Sequence, residues 1–341
     1  MLEVKELAKR YGDHLAVEDF SHCFTAEKIT TVLGPSGSGK STALAMIAGL
    51  KQPDRGRVVL DGIDLTNIAP ERRDFGMVFQ NYSLFPHLNV QQNVEFGLRA
   101  RHIGKAERRR RALETLALAR IGHLADRRIN EISGGEQQRV AMARALAIRP
   151  KVLLMDEPLS ALDAKLREEL RGELLRLLRE LAVTTIYVTH DQIEAMSLGH
   201  EMIIINQGRI EQTGPPNELY LRPANLFVAN FLGDSNVFPA EHTNGTGLLR
   251  LPFAAIKSQL NNNGTQCWAM IRPESMELVE ERDADFSAAV ESATFLGNRL
   301  RLYLRAAGEK VVVDVENRRA IAANAPVHVR VKSVEVATWP R

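Results

Sequence analysis

The sequence is poor in the features that mark several classes of protein. Its 341 residues include two cysteines, Cys23 and Cys267, which are too far apart for a metal-ligand spacing, so a reduced cytosolic protein is expected. Lysine plus arginine (44) nearly balance aspartate plus glutamate (42), which argues against bulk attraction to nucleic acid or anionic lipid. The longest apolar runs, such as 152–155 and 202–205, are far shorter than the roughly 20 residues that a membrane-spanning helix needs. These absences leave a globular protein of two or three domains.

What the sequence does contain is two glycine-rich turns that each precede a helical stretch. The first is Gly34-Pro-Ser-Gly-Ser-Gly39-Lys40-Ser41-Thr42, and the second is Ser133-Gly134-Gly135-Glu136-Gln137. Free backbone N–H groups and the helix dipole favour an anion at such a turn. An ATPase with a single phosphate loop needs only the first turn. The presence of both suggests that ATP is held between two surfaces and that the protein works as a pair.

Strands and helices alternate through the first two thirds of the chain. Short β-branched or apolar runs at 29–33, 152–155, 184–189 and 202–205 predict strands. Residues 89–148 have a mostly helical pattern, with Leu/Ala-rich periodic stretches at 112–119 and 137–148. This order favours an α/β fold with a mainly parallel sheet and a helical insertion. After residue 235 the pattern changes to alternating strands at 269–271, 300–304, 311–315 and 327–331, which predict a small β-barrel domain.

The first turn fits the phosphate-loop pattern G-x-x-x-x-G-K-S without a gap. A predicted strand precedes it and a predicted helix follows it, which is the context that such a loop requires. Lys40 would reach the β- and γ-phosphates of ATP, and the Ser41 hydroxyl would ligate Mg²⁺. The nucleotide-binding residues predicted here are Gly34, Pro35, Ser36, Gly37, Ser38, Gly39, Lys40, Ser41 and Thr42.

Two carboxylates follow the apolar run Val152-Leu-Leu-Met, at the expected end of a strand. In an open α/β sheet, ligands bind at the carboxyl ends of the strands. Asp156 would hold Mg²⁺ through water, and Glu157 would orient or deprotonate the attacking water. The alternative is a solvated acidic turn, which the phosphate loop in the same chain makes improbable.

Four further candidates have a plain structural alternative. Ser133 is either an ordinary helix cap or a phosphate contact. Gln80 and His190 each follow a predicted strand, where they are surface or structural residues, or else lie near Mg²⁺, the attacking water or a phosphate. Tyr11 either packs in the core or stacks on adenine. The basic run at 99–111 has no interleaved aromatic residue, which favours a solvated helix face over a nucleic-acid patch.

Taken together, the motifs resemble those of the ATP-binding-cassette (ABC) ATPases, over about residues 3–235. The resemblance implies a P-loop NTPase fold, with a RecA-like core and antiparallel β and helical subdomains, in residues 1–235, with the helical subdomain at about 86–150. The matching motifs are Walker A at 34–42, the Q-loop Gln80, the signature at 133–137, Walker B with Asp156 and Glu157, the D-loop Ser160-Ala-Leu-Asp163 and the switch His190.

The resemblance also implies roles for single residues. ATP and Mg²⁺ would lie between Walker A of one subunit and the signature turn of the other, contacted by Ser133, Gly134, Gly135, Glu136 and Asp163 of the partner copy. Gln80 would reach Mg²⁺ and link nucleotide state to a membrane partner, and Tyr11 would stack on adenine. The residues implied in catalysis are Glu157, His190, Lys40 and Gln80.

Finer features are similar to those of the bacterial importer branch. The stretches at 81–90 and 189–195 resemble importer ATPases, and residues 236–341 resemble their oligonucleotide-binding-like (OB-like) regulatory domain of the TOBE type. The resemblance implies a homodimer at the cytoplasmic face of the inner membrane that drives permease subunits and receives solute from a periplasmic binding protein, with no nucleic acid partner. Alternatives are a soluble ATPase acting on nucleic acid or the ribosome, and an exporter ATPase.

Residues 231–236 are closer to importers of ferric iron, polyamines, thiamine or phosphonate than to sugar importers. Two departures from the usual pattern stand in the signature. Ile132 replaces the commoner Leu, and Glu136 stands where importers of this type usually have Gln. Neither removes the serine or the glycines, so we expect them to leave ATP binding intact, and the sequence leaves open whether they tune closure of the dimer.

Overall fold

The computed structural model describes residues 1–243, 248–257, 266–317, 321–337 and 339. The chain divides into two compact units, Met1–Asn217 and Glu218–Arg341. Across the described ranges, no helix combines the length and the apolar character that a membrane span requires.

The first unit contains the α/β fold that the sequence predicts. Its helices are α1 (Lys40–Ala48), α2 (Val90–Ala100), α3 (Lys105–Leu118), α4 (Gly134–Ala147), α5 (Ala164–Leu181) and α6 (Gln192–Leu198). Its strands are β1 (Leu2–Tyr11), β2 (His14–Phe24), β3 (Ile29–Leu33), β4 (Arg55–Leu60), β5 (Ile63–Asp64), β6 (Phe75–Val78), β7 (Val152–Asp156), β8 (Thr184–Thr189), β9 (Glu201–Asn206) and β10 (Arg209–Gly214).

Two sheets enclose the main core of this unit. One is antiparallel, with the order β2-β1-β4-β5, and the other has the order β10-β9-β3-β8-β7-β6. In the second sheet β9, β3, β8, β7 and β6 are parallel neighbours, and β10 is antiparallel to β9. The strands β3, β7 and β8 are buried almost throughout, as expected for a parallel sheet covered on both faces. Their carboxyl ends therefore meet at one edge of the sheet.

The helices α2, α3 and α4 have a hydrophobic cluster of their own. Val94, Leu98, Leu116 and Val140 are among its fully buried members. On α3, arginines of the basic run pair with glutamates: Arg110 and Arg111 contact Glu107 on the same helix. These pairs are those of a solvated helix face. The limits of a helical subdomain at about 86–150 stay a prediction.

Arg73 is a buried cation that lies outside α1 and caps the C-terminal end of that helix. Its side chain donates to the carbonyl oxygens of Met46 (3.1 Å) and Ile47 (2.7 Å) in the last turn of the helix, and to those of Thr66 (3.0 Å) and Ile68 (2.8 Å). Because the last carbonyls of a helix lack partners within it, a cation here satisfies them and complements the helix dipole. Arg73 thus ties the helix that follows the phosphate loop to the segment leading into β6.

The second unit is mostly antiparallel β structure. Its two sheets have the orders β13-β12-β11-β14-β20 and β15-β19-β16-β17-β18, and they share one hydrophobic cluster, which confirms the predicted all-β, OB-like domain. The helix α7 (Pro216–Leu221) begins in the first unit and continues into the second. The other elements are α8 (Leu226–Phe231), β11 (Asn236–Thr243), β12 (Leu248–Arg250), β13 (Ala255–Lys257), β14 (Gln266–Ile271), β15 (Met276–Leu278), β16 (Phe286–Phe295), β17 (Arg299–Ala306), β18 (Glu309–Glu316), β19 (Pro326–Val331) and β20 (Glu335–Ala337).

The boundary between the units lies before the one that the sequence suggested. Residues 218–235 group with the β strands, whereas the predicted second domain begins at 236. Arg272, which is 3% exposed, supplies a physical reason. Its guanidinium donates to the carbonyl oxygens of Tyr220 (2.8 Å), Ala229 (2.8 Å) and Gly233 (3.0 Å), and so fastens α7 and α8 to the β domain.

Candidate nucleotide-binding site

The phosphate loop joins the carboxyl end of β3 to the first turn of α1. Gly39, the residue before α1, has a φ of 100°, and a Cβ added there would lie 2.3 Å from the carbonyl oxygen of Ala16. Only glycine fits this position, because the backbone is left-handed and the space for a side chain is filled. The chain therefore passes close to Ala16 as it turns into α1, so that the loop leads directly into the N-terminus of that helix.

Lys40 begins α1 and extends back along the loop. Its side chain is 5% exposed, and Nζ donates to the carbonyl oxygens of Gly34 (2.8 Å) and Pro35 (2.9 Å). Burial lowers the pKa of Lys40, and the negative charges of Glu157 and Asp156 oppose that shift. The ammonium group is thus already placed at the mouth of the loop, where it can transfer its hydrogen bonds to phosphate oxygens.

Ser41 and Asp156 form an oxygen pair beside the loop. The Ser41 hydroxyl donates to Oδ1 of Asp156 at 2.9 Å, joining α1 to the end of β7. Burial raises the pKa of Asp156, while the bond from Ser41 lowers it. A hydroxyl and a carboxylate suit Mg²⁺, which is bound by few protein oxygens together with substrate phosphates. Among the described residues, no group of three or more His, Cys, Asp or Glu side chains could hold a metal without such help.

Glu157 and His190 meet at the same edge of the sheet. They follow β7 and β8, which are paired in parallel, and Oε2 of Glu157 lies 2.8 Å from Nδ1 of His190. The backbone N–H of Glu157 donates to the carbonyl oxygen of Val188 at 3.0 Å, while its φ of 45° turns the chain out of the strand. A carboxylate held in this way is placed to accept a proton from a water molecule at the loop.

The signature turn lies on another element, the N-terminus of α4. Within the described ranges, no hydrogen bond or ion pair joins residues 133–136 to the phosphate loop. Ser133 caps the helix, and its backbone N–H (2.7 Å) and hydroxyl (2.8 Å) both donate to Oε2 of Glu136. These bonds hold the pKa of Glu136 below its usual range. The two glycine-rich turns therefore lie on different helices, α1 and α4, and over the described residues are not joined directly by hydrogen bonds.

Comparison with known proteins identifies the family to which this chain belongs. The ABC transporter family model matches residues 17–160, and the TOBE domain model matches residues 269–336. The chain is 41% identical over 306 residues to the Fe(3+) ions import ATP-binding protein FbpC 1 of Haemophilus influenzae, a match that covers 89% of this chain and 93% of that protein. The chain belongs to the ATP-binding subunits of ABC importers.

Other relatives of this ABC ATPase have similar identity. The spermidine/putrescine import ATP-binding protein PotA of Chromobacterium violaceum is 42% identical, with 92% of this chain and 90% of that protein covered. The sulfate/thiosulfate import ATP-binding protein CysA of Synechocystis sp. is 39% identical, with 92% and 87% covered. Among solved structures, the ATP-binding cassette MJ0796, a dimer in a post-hydrolysis state with ADP and phosphate, matches with a TM-score of 0.57 and 35% identity, over 63% of this chain and 99% of that chain. The predicted P-loop NTPase fold, ATPase activity and energy-coupling role in an importer are confirmed.

Three other motif residues of the ABC ATPase lie as follows. Tyr11, at the end of β1, is 42% exposed, with Nζ of Lys51 5.2 Å from its ring centroid, so it is not a core residue. Asp163 caps α5 by accepting from the N–H of Leu166 at 3.0 Å. Gln80 is exposed, two residues after the end of β6. The nucleotide and metal contacts assigned to these residues stay predictions.

Sequence reasoning missed one contact of the ABC ATPase, between α4 and the segment after Gln80. Arg144 of α4 donates to the carbonyl oxygens of Tyr82 and Ser83, both at 2.7 Å, and its guanidinium lies 5.6 Å from the ring centroid of Phe85. Tyr82 and Ser83 have φ values of 57° and 47°. An arginine among the alanines of α4 gives no sequence signal, because its partners are backbone atoms some sixty residues away.

Glu136→Gln should make this ABC ATPase respond to less ATP. The Glu136 carboxylate lies at the turn that would receive the γ-phosphate, so like charges repel there, whereas glutamine keeps the capping box and removes the charge. We expect the half-saturating ATP concentration for hydrolysis to fall by about fivefold, or about 1 kcal/mol at this partly solvated site. Steady-state kinetics measure this effect. Glu114→Gln, on the exposed face of α3, is the control, and an equal response of both variants would contradict the explanation.

Proposed function

We propose that two copies of this chain bind two ATP and Mg²⁺ at their interface, and that closure and reopening of this dimer drive an integral membrane permease from its cytoplasmic face. The observation that carries the proposal is that the two turns lie on different elements. The phosphate loop lies with Asp156, Glu157 and His190 at one edge of the sheet, whereas Ser133 is the N-cap of α4 and, in the part of the chain that the structure describes, makes no hydrogen bond to that loop. A second copy supplies the missing half, and the dimeric state of the related cassette MJ0796 supports this reading.

Within each site we assign separate tasks to the chain's residues. Lys40 and the N–H groups of the loop hold the β- and γ-phosphates, and Tyr11 stacks on adenine. Ser41, Asp156 and Gln80 hold Mg²⁺, which when bound neutralises charge on the phosphates. Residues 133–136 and Asp163 complete the site of the partner copy.

Hydrolysis is assigned to the pair at the ends of β7 and β8. Glu157 accepts a proton from the attacking water, and the bond to His190 holds the carboxylate in place. Because Nδ1 of His190 faces Glu157, Nε2 is the ring nitrogen that remains for the γ-phosphate. Positioning and charge neutralisation therefore supply most of the catalysis, as is usual for phosphoryl transfer.

For the solute we propose ferric iron or a polyamine, delivered by an extracytoplasmic binding protein. FbpC 1 and PotA, whose printed names give these solutes, are 41% and 42% identical to this chain. CysA is 39% identical and its name gives sulfate, so identity in this subunit follows solute chemistry only loosely. Recognition of the solute then belongs to the binding protein and the permease.

Isolation from native membranes and uptake assays test this function. The tagged chain should purify with integral permease subunits, and cells whose chain carries Lys40→Ala should lose uptake of either radioactive Fe³⁺ or spermidine while keeping normal amounts of the complex. A complex with RNA and no membrane subunit would contradict the proposal. Undiminished uptake of both solutes would overturn the proposed solute class, but it would not contradict the assignment of a permease partner.

A further inference from the structure

A buried carboxylate lies in the same stretch as His190, residues 189–195, and none of the tasks assigned above uses it. Glu194, in α6, is 2% exposed. Its Oε2 atom accepts from the hydroxyls of Tyr187 (2.9 Å) and Thr189 (2.8 Å), both on β8. Burial raises the pKa of Glu194, and the two hydroxyl bonds oppose the shift. Taking a carboxyl group out of water costs free energy unless it is well paired. Burial of Glu194 therefore costs free energy that these hydrogen bonds must offset.

Hydrogen bonds from this network reach the backbone on both sides of His190. The Thr189 hydroxyl donates to Glu194 and also accepts from the N–H of Asp191 at 3.0 Å. The Asp191 carboxylate in turn accepts from the N–H of Glu194 at 3.0 Å. These bonds close a ring through Thr189, Asp191 and Glu194. His190 lies between Thr189 and Asp191 in the chain.

The network does more than the local fold requires. Asp191 alone caps α6, and an apolar side chain at 194 would fill a buried place without the cost of desolvating a carboxyl group. What the ring adds is hydrogen bonds on both sides of residue 190. Between them, Nδ1 of His190 lies 2.8 Å from Oε2 of Glu157.

We propose that Thr189 and Glu194 are positioning residues for ATP hydrolysis, which hold His190 against Glu157. The proposal rests on the catalytic role assigned above to the His190–Glu157 pair. Both residues are about 2% exposed and bond to protein atoms, so we expect their loss to lower kcat and leave the KM for ATP unchanged. A displacement of about 1 Å in a catalytic group costs on the order of 100-fold in rate, and Thr189→Val should therefore lower kcat by about 10- to 100-fold.

The chain offers a matched control on the same strand. Thr185 is also fully buried, and its hydroxyl donates only to the carbonyl oxygen of Val183, at 2.9 Å, at the far end of β8. Thr185→Val and Thr189→Val remove the same atoms and add the same methyl group. Only the second should lower kcat, and Thr189→Ser, which restores the hydroxyl, should recover most of it. If Thr189→Val does not fold, Thr189→Ala removes the hydroxyl without adding a methyl group and replaces it in every comparison.

The deciding experiment measures kcat and KM of full-length protein for Thr189→Val, His190→Ala and the double variant. If Thr189 acts through His190, adding Thr189→Val to the His190→Ala variant should change kcat by no more than about twofold. An equal loss in both backgrounds, or a kcat for Thr189→Val equal to that of Thr185→Val, would overturn the positioning role. Wild-type kcat in His190→Ala would instead overturn the assigned role of His190 itself, so the two failures are distinguishable.

Discussion

Glu157→Gln should abolish measurable ATP turnover and leave the protein as an ATP-bound dimer. Glutamine has the shape of glutamate and accepts a hydrogen bond from Nδ1 of His190, but its amide takes no proton from water. Removing a general base typically costs about 10²- to 10⁴-fold in rate. Lys40, Ser41 and Asp156 keep their places, so ATP still binds, and closure without hydrolysis accumulates the dimer.

Two measurements check this expectation. A phosphate-release assay should show the loss of turnover, and light scattering should show a dimer that forms with ATP and not with ADP. Glu169→Gln, an exposed position on α5, should match wild type in both. Near wild-type hydrolysis by Glu157→Gln would remove Glu157 from the reaction.

A mixture of two inactive variants should regain activity. Lys40→Ala disables the phosphate loop, and Ser133→Arg blocks the signature turn. In a heterodimer of the two, one composite site carries both changes and the other carries neither. If subunits exchange at random and sites act independently, half of the dimers are mixed and half of their sites are intact, so roughly a quarter of wild-type activity returns.

The control is each variant mixed with itself under the same conditions, which should stay inactive. Were the signature turn to act on the phosphate loop of its own chain, every subunit would carry one defect and the mixture would stay inactive as well. Absence of recovery, with both variants folded and shown by cross-linking to form mixed dimers, would contradict the composite site.

Local patterns in the sequence predicted the elements that carry the phosphate site. The apolar runs of β3, β7 and β8 and the glycine spacing of the loop depend on near neighbours, so they are readable along the chain. The long strands β1 and β2 were not predicted, because bulges interrupt their alternation. Their pairing shifts register three times between Val4 and Arg10, and Glu6 has a φ of 51°.

Contacts between distant residues account for what the sequence did not predict. Residues 218–235 join the second unit through the guanidinium of Arg272, whose partners are backbone carbonyls about forty to fifty residues away. The bond of Thr189 to Glu194 joins near neighbours, but its direction depends on how α6 packs beside β8. The use of the signature turn by a second copy was inferred from family resemblance, since no pattern within one chain shows which copy it serves.

The hydrogen bonds from Arg144 to the backbone of residues 82 and 83 limit how the sequence of such a protein can change. Ser133 and Arg144 are eleven residues apart, so about 16 Å of stiff helix joins the nucleotide-facing turn to the backbone just after Gln80. If the Gln80 segment contacts the permease, as proposed, a substitution that refits it to a different permease should also shift the turn that would meet the other copy's ATP. We therefore expect the choice of membrane partner and the sensitivity to ATP to change together, so that a subunit moved into a foreign transporter keeps its own ATP threshold.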